Sequence, residues 1–458
     1  MAEYTPIDWP FPSAGLNTEL HASHIPANAL SACTNMYYPQ PGLLRARGGI
    51  DATYNGSGAD DVEVMYYWDY DSKLYHADNN AHLYKNGSAI SGVSKKVTSV
   101  CSFGVSATPT LIVAENETSG VSLHTYNGSS YAALSGTDVP CARLVMSRYG
   151  RLWGTKSAEY PSRVWCSMPG DHTVWTAAYD QAAWWDVAPG HDGVIVDWVD
   201  YNGILYIFKT HGIYRMTGDT PASVRIEKLV AADKVVAATV ADCGEGVLYA
   251  TSYGVFPLGI PAPGEQYDLT RNVEASIQAV LASSRAAYSP ELGGYVMVNG
   301  TTTVWVSNLG NRPDVWTNFT APAAMSSVYQ GNGLWFGGTD GKVYLYDHDD
   351  FEDGASTVYT VSFKTGHWNC GDELKRKNIR FVEGALNGGE NATATVNLYA
   401  DQAGTAKQAT ALTAATQNLV EANFNCKTVA LEIVYTSRTG LPYFGGARLK
   451  LRPVGDVL

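Results

Sequence analysis

The sequence has few charged residues and no pattern for long helices. Asp, Glu, Lys and Arg make up 16% of the 458 residues, against a usual share of about 25%. Apolar residues never keep helical spacing for more than about three turns, and no run approaches the roughly 18 apolar residues of a membrane-spanning helix. A helical bundle and a helical membrane anchor are therefore not expected.

Paired cysteines are also lacking. The seven cysteines lie far apart, form no C-x-x-C pair and are odd in number. Apolar surroundings such as Val100-Cys101 and Trp165-Cys166 favour buried free thiols in a reduced compartment. The first residues have neither the basic nor the apolar region of a signal peptide, so we expect no secretory signal.

The charge is acidic and uneven. Residues 367–458 hold ten Lys or Arg and eight Asp or Glu, so the formal net charge of −13 divides into +2 for that segment and −15 for residues 1–366. Such a balance argues against a nucleic-acid binder that displaces phosphate counterions with Lys and Arg. The acidic charge is compatible with a channel whose wall repels DNA. Its uneven distribution predicts two domains with different neighbours.

Aromatic residues and glycines are abundant, and one short sequence pattern recurs along the chain. A turn is followed by Leu and an aromatic residue, and then by a second strand with an aromatic residue. The copies are centred on Leu74-Tyr75, Leu152-Trp153, Leu205-Tyr206, Leu248-Tyr249 and Leu334-Trp335. A unit that recurs in this way cannot bury its apolar face alone and must stack on its neighbours.

The repeats predict an all-β protein with a β-propeller. Seven units begin near Val62, Val97, Ala142, Val194, Val236, Val280 and Ala324. Their spacing of about 35–50 residues is typical of a four-stranded blade, although six or eight blades also fit. Asn-Gly pairs such as Asn86-Gly87 and Asn202-Gly203 predict hairpins. After residue 366 the period ends, and alternating segments predict a small β-sandwich over 367–458.

Residues 1–57 are irregular but too apolar for a free tail. We interpret them as an N-terminal arm laid either on the chain's own propeller, at 58–366, or on a partner. Residues 26–32 could form a short helix. The residues assigned to partner binding are Trp9, Phe11, Leu16, Asn17, Tyr37 and Tyr38.

Two groups of residues raise the question of a metal. Five carboxylates within residues 347–353 could hold Ca²⁺, a cation that prefers several oxygen ligands, but a solvated acidic loop is favoured. His21 and His24 would share one face of a helix and could form half of a metal site. A loop is again favoured because further ligands cannot be placed, so we predict neither a metal nor a cofactor.

The sequence gives little support for catalysis. Asp69 with Asp71, or Glu291, could supply the two carboxylates that glycoside cleavage needs. The glycines of 244–248 are better explained by a turn than by a nucleotide site, and no G-x-S-x-G elbow occurs. The basic stretch 375–380 could contact phosphate, but the polar face of a sheet is favoured. We therefore predict no catalytic residues and no enzyme.

Three stretches are dense in large apolar side chains, namely residues 66–68, 184–185 and 194–198. Most of these side chains should pack between blades. Any that face outward would mark a protein–protein interface.

The N-terminal residues resemble the opening of tailed-phage propeller proteins. The resemblance lies in Gly15-Leu16-Asn17, in Asn28-Ala29-Leu30, in Asn35-Met36 and in Arg45-Ala46-Arg47-Gly48. These features are similar to those of tail nozzle or tail-hub components of short-tailed phages. That family often carries the pattern D-x-G-x-x-x-R before the Arg-x-Gly. Residues 37–42 of this chain do not follow that pattern.

The resemblance implies a virion structural protein that forms a homo-hexameric ring below the portal–adaptor complex. It implies contacts with the adaptor and with other tail proteins such as fibres, and assembly in the host bacterial cytoplasm. DNA would pass through the lumen without sequence-specific binding, and the ring would help to retain and eject the genome. The alternative is a carbohydrate- or receptor-binding propeller, with or without glycan cleavage, of a tail fibre or surface protein.

Overall fold

The computed structural model describes residues 4–21, 24–56, 60–104, 109–117, 119–120, 122–178, 181–258, 267–308, 314–354, 357–371, 375–387, 393–413, 419–437 and 440–454. Their strands form seven propeller blades and a β-sandwich, which confirms the predicted fold class. Across these ranges, no helix is long and apolar enough to span a membrane.

Five strands precede the first complete blade. They are β1 (Thr5–Asp8), β2 (Leu30–Thr34), β3 (Met36–Gln40), β4 (Leu43–Ala46) and β5 (Gly49–Asn55). The first four belong to the sheets of the C-terminal sandwich, and β5 joins the last blade. The predicted arm is therefore shared between the two units.

Blades 1 to 4 are antiparallel sheets of four strands, with the first strand innermost. Blade 1 contains β6 (Val62–Trp68), β7 (Lys73–Asp78), β8 (Leu83–Lys85) and β9 (Ser88–Ala89); blade 2 contains β10 (Val97–Phe103), β11 (Thr110–Glu115), β12 (Leu123–Tyr126) and β13 (Tyr131–Ala133). Blade 3 contains β14 (Leu144–Arg148), β15 (Arg151–Thr155), β16 (Arg163–Cys166) and β17 (Ala183–Asp186); blade 4 contains β18 (Ile195–Tyr201), β19 (Ile204–Lys209), β20 (Gly212–Thr217) and β21 (Arg225–Ala231).

The remaining blades are less regular. Blade 5 contains β22 (Ala241–Asp242), β23 (Val247–Ala250) and β24 (Val255–Leu258), followed by the helix α1 (Glu274–Leu281). Blade 6 contains β25 (Arg285–Ser289), β26 (Gly294–Val298), β27 (Thr301–Asn308) and the first part of β28 (Trp316–Gln330). The second part of β28 begins blade 7, which continues with β29 (Leu334–Gly338), β30 (Lys342–Asp347) and β5. An N-terminal strand thus completes the last blade and closes the ring.

The sandwich follows a two-stranded link of β31 (Glu352–Asp353) and β32 (Thr357–Val358). Its strands are β33 (Val361–Thr365), β34 (Lys377–Asn387), β35 (Thr393–Ala400), β36 (Gln408–Thr413), β37 (Leu419–Cys426), β38 (Val429–Ser437) and β39 (Tyr443–Pro453). One sheet runs β3-β4-β39-β34-β37 with β1 on β39, and the other runs β2-β33-β38-β35-β36. Because β33 pairs with β38, the sandwich begins at Val361 rather than at the predicted residue 367.

Side-chain hydrogen bonds join consecutive blades. Two tyrosine hydroxyls accept from the backbone of the next blade: Tyr329 Oη from Tyr67 N (3.0 Å) and Tyr66 Oη from Ser102 N (3.0 Å). Four hydroxyls donate to a carbonyl of a neighbouring blade: Thr98 Oγ1 to Arg143 O (2.7 Å), Tyr149 Oη to Gly203 O (2.9 Å), Tyr201 Oη to Gly244 O (3.3 Å) and Tyr295 Oη to Thr239 O (2.7 Å). The hydroxyl group of a tyrosine can hydrogen-bond to the next blade while its ring packs among apolar side chains. The many tyrosines of the chain thus hold the ring together as well as filling it.

Local structure follows the sequence at the hairpins and departs from it in the arm. Asn86-Gly87 and Asn202-Gly203 both have positive φ at the two central residues, as the predicted turns require. Residues 26–32, predicted as a short helix, form a turn and the start of β2 instead. Pairing of β2 with β33 outweighs the weak helix preference of this segment.

Arg47 occupies the junction between the two units. It is fully buried, and its guanidinium contacts both carboxylate oxygens of Asp353 at 2.7 and 2.6 Å. It also donates to Thr320 O at 2.8 Å and to Asn35 Oδ1 at 3.1 Å, and it lies 3.6 Å from the centre of the Tyr359 ring. We call these five residues the Arg47 network. It fixes the arm to the end of blade 6 and to the link before the sandwich.

Asp353→Asn should lower the free energy of unfolding by about 3–5 kcal/mol, because it leaves a buried guanidinium without a counter-charge. Urea unfolding followed by tryptophan fluorescence measures this. Glu227→Gln is the matched control, since it removes an exposed pair with Arg215, and should cost no more than about 0.5 kcal/mol. Equal losses in the two variants would contradict the role given to the network.

Candidate functional site

The residues assigned to partner binding lie inside the chain. Trp9, Leu16, Asn17, Tyr37 and Tyr38 are all buried, and Phe11 is half-buried against Tyr38 and Phe444. The arm runs between the sandwich and blades 5 and 6, and one continuous apolar core includes all three. The described contacts of these side chains are intramolecular, and their assignment to partner binding stays a prediction.

The two groups considered for metal binding are on the surface. His21 and His24 are exposed, with ring centres 6.3 Å apart. In the acidic loop, Asp347, His348 and Asp349 are exposed and close together. Asp353 is held by Arg47 rather than available to a cation. Asp347, His348 and Asp349 face solvent, whereas Glu352 and Asp353 belong to β31.

The carboxylates considered for glycoside cleavage have separate surroundings. Asp71 accepts a hydrogen bond from Tyr75 at 2.7 Å and pairs with Lys85 at 2.8 Å. Glu291 lies near Asp347 and His348, and burial raises the pKa of its carboxyl group. The recorded neighbours of Asp71 and of Glu291 are different residues.

The basic stretch 375–380 is used within the sandwich. Lys377 is buried, and its ammonium donates to Asn369 O at 2.5 Å. Arg380 pairs with Glu421 of the neighbouring strand at 2.9 Å. These contacts fit the polar face of a sheet better than a phosphate site.

A mixed-charge network lies at one end of the propeller axis, where the inner strands begin. We call it the axial network and define it as Glu63, Lys96, Lys156, Asp197 and Arg285. Glu63 of blade 1 pairs with Lys96 at 2.7 Å and with Arg285 of blade 6 at 3.0 Å. Blade 7 separates blades 6 and 1, so the Arg285–Glu63 pair joins two blades that are not neighbours in the ring.

The other half of the axial network comes from blades 3 and 4. Lys156 donates to Val196 O at 3.3 Å, and burial lowers the pKa of its ammonium, which Asp197 partly counteracts. Asp197 accepts from Trp198 N at 2.9 Å and from Ala238 N at 2.8 Å. Burial raises the pKa of Asp197 to about 6. Because these contacts run from one blade to another, the axial network joins blades at this end of the propeller.

A second feature is an exposed aromatic surface on the outside of blade 3. We call it the blade 3 rim and define it as Tyr160, Arg163, Trp184 and Val194. Trp184 on β17 is 46% exposed, Tyr160 is 40% exposed and Val194 is 45% exposed. The Arg163 guanidinium lies 3.7 Å from the centre of the Trp184 ring and 4.1 Å from that of Tyr160. Trp, Tyr and Arg together are typical of protein–protein interfaces.

Sequence reasoning missed the axial network and the partners of Arg47. A usable signal existed for the former, because Glu63, Asp197 and Arg285 each stand at the start of an inner strand of a repeat. Charged residues at equivalent repeat positions meet around the axis. No such signal existed for Arg47 and Asp353, which are 306 positions apart.

No protein-family model matches the sequence, and no curated protein matches it. Among solved structures, the extracellular domain of a protein assigned to a hybrid two-component system of B. thetaiotaomicron is 12% identical, with a TM-score of 0.48 over 80% of this chain and 47% of that one. Virginiamycin B lyase from Staphylococcus aureus is 10% identical, with a TM-score of 0.44 over 66% of this chain and 98% of that one.

Raptor from Chaetomium thermophilum is 12% identical, with a TM-score of 0.45 over 66% of this chain and 29% of that one. The chain therefore spans about half the length of the first of these three structures. At such identities and TM-scores the likeness carries no argument about activity, substrate or partners.

The unfolding free energy of the Asp197→Asn variant, relative to that of the native chain, should increase as the pH rises. The folded pKa of about 6 lies above the usual 3.8, so ionisation of Asp197 opposes folding. Its contribution to stability falls between about pH 4 and pH 6 and stays low above that. Between pH 4 and pH 7 the difference in unfolding free energy should shift by up to about 3 kcal/mol, measured by urea unfolding.

Asp233→Asn, at a carboxylate that is 66% exposed, is the control and should show no comparable shift. A pH-independent difference for Asp197→Asn would contradict the raised pKa.

Proposed function

We propose that this chain is a structural protein of a tailed-phage virion, forming a ring of the tail below the portal–adaptor complex. The ring would continue the DNA channel and help to retain and eject the genome. We propose no catalytic role. The observation that carries the proposal is that the residues of the N-terminal resemblance coincide with the junction between propeller and sandwich.

Four of those residues have a definite role in the junction. Gly15 has a φ of +73°, and a Cβ there would lie 2.8 Å from Val315 Cγ1. Asn17 Oδ1 accepts from Glu19 N and Leu20 N and so fixes the next turn. Asn35 and Arg47 belong to the Arg47 network. A sequence that shares these residues is therefore expected to share the arm, the closed propeller and the sandwich.

The subunit also offers two different sides for a ring. The sandwich and arm pack on blades 5 and 6, whereas the blade 3 rim lies across the propeller from blade 6. A closed ring of more than two copies needs heterologous contacts, in which one face of a subunit meets a different face of the next. We propose the blade 3 rim as one of those faces.

The DNA path in this proposal is the lumen of the ring rather than the axis of each propeller. The Arg285–Glu63 pair joins blades 6 and 1 where their inner strands begin. The −15 charge of residues 1–366 would repel DNA from the lumen wall and limit sticking. Such a lumen needs no base contacts, which agrees with the shortage of Lys and Arg in this part of the chain.

Native mass spectrometry of the purified chain, alone and mixed with a candidate adaptor ring, tests the proposal. We expect a closed ring, with six copies, or capture by the adaptor. Trp184→Glu should reduce the ring to smaller species with unchanged circular dichroism, because it places a charge in the aromatic contact. Tyr70→Glu, at an exposed residue near the axis, should leave the ring intact.

A persistent monomer of the native chain under both conditions would overturn the ring proposal. A receptor- or carbohydrate-binding propeller is then the second candidate. Tyr70 and Tyr149 favour it, since they are 51% and 50% exposed beside the turns that end inner strands. Exposed aromatic rings at the axial mouth suit the apolar faces of sugars. Glycan-array binding by the monomer would support this alternative.

A further inference from the structure

We propose that Asp60, Asp78 and His82 form a binding site for a divalent transition-metal ion, with Zn²⁺ the best fit. We call it the seam site, because it lies where the propeller ring closes. The ligand atoms of the three side chains all lie within 4.8 Å of one another. The inference does not depend on the proposed function.

The topology brings the three residues together from two segments. Asp60 lies in the link between β5, the outermost strand of blade 7, and β6, the innermost strand of blade 1. Asp78 ends β7, and His82 directly precedes β8, so both belong to one hairpin of blade 1. A metal held by all three would fasten the closing link to that hairpin.

Asp78 is already oriented within this group. It is 2% exposed, and its Oδ1 accepts from Asn80 N at 3.0 Å. Its Oδ2 lies 2.7 Å from His82 Nδ1 and 3.4 Å from the Tyr84 hydroxyl. A carboxylate held by a hydrogen bond from the backbone, with an imidazole nitrogen beside it, needs little rearrangement to coordinate a cation.

His76 is a second, independent sign of a ligand in this place. It is 1% exposed, and neither ring nitrogen has a hydrogen-bond partner among the residues that the structure describes. Its ring stacks on Tyr84 at 4.8 Å, on the same face of β7 as Asp78. Buried polar groups without protein partners are rare and point to a bound species.

The donor set selects the class of metal. Two carboxylates and one imidazole suit Zn²⁺ and related transition metals, whereas Ca²⁺ and Mg²⁺ prefer oxygen ligands alone. A cation between two neighbouring carboxylates also removes their mutual repulsion. Three protein ligands leave at least one position for water. The exposed group Asp347, His348 and Asp349 has the same composition but no buried member.

A bound ion would strengthen the ring where blade 7 meets blade 1. Gly56 N donates to Gly341 O at 2.8 Å, and a Cβ at Gly56 would lie 3.5 Å from the Tyr84 ring. The link therefore already rests on the hairpin that carries Asp78 and His82. Because the ion binds the folded ring and not the open chain, it should raise the stability of the whole propeller.

Calorimetric titration of Zn²⁺ into the full chain, after treatment with EDTA, tests the seam site. We expect one Zn²⁺ per chain and a higher melting temperature in its presence. His82→Ala and Asp60→Asn should each weaken the affinity at least about 100-fold, since even outer-shell changes cost 10–100-fold. Circular dichroism verifies that both variants fold.

His348→Ala is the matched control, because it removes the histidine of the exposed Asp–His group without touching the seam. It should leave the affinity and the thermal shift unchanged. Absence of stoichiometric Zn²⁺ binding by the native chain would overturn the inference. So would binding that survives in both His82→Ala and Asp60→Asn, or that disappears only in His348→Ala.

Discussion

The contact on which the arrangement of this molecule depends is the buried pair of Arg47 and Asp353. Between them these residues hold the last strand before the first blade and the first residues after the last blade. A buried guanidinium requires a full set of acceptors, and here the carboxylate, a backbone carbonyl and an amide supply it. The propeller cannot close, and the sandwich cannot take its position, without bringing these groups together.

The rest of the ring follows a second constraint, which is that neighbouring blades, apart from blades 6 and 7 that share β28, must be joined without a continuous sheet. In this chain, side-chain hydroxyl groups join neighbouring blades. Tyrosines 66, 149, 201, 295 and 329 each reach a backbone group of the adjacent blade. Each bond satisfies a backbone polar group that a sheet edge would otherwise leave to water. The aromatic-rich composition therefore serves packing and hydrogen bonding at once.

The sequence allowed the repeated parts to be predicted, because their signals are local. The units predicted near Val62 and Val97 begin at those residues, and the one predicted near Ala324 begins at Met325. The arm was harder to predict. Three of its strands have partners more than 300 positions away, namely β1 and β4 with β39 and β2 with β33, and no local pattern encodes that choice. The axial network lies between these cases, since Glu63 and Arg285 stand at equivalent repeat positions but belong to blades 1 and 6.

Closure by an N-terminal strand also sets an order for folding. β5 leaves the ribosome before any blade, yet its partner β30 is made almost 300 residues later. The first four strands join the sandwich sheets later still, because β1, for example, pairs with β39. Blades 1 to 4 contain only local pairings and can form during synthesis, whereas the ends must meet afterwards across a large loop. The slow step of folding should therefore be the capture of the first fifty-five residues, during which their apolar side chains are open to chaperones and to aggregation.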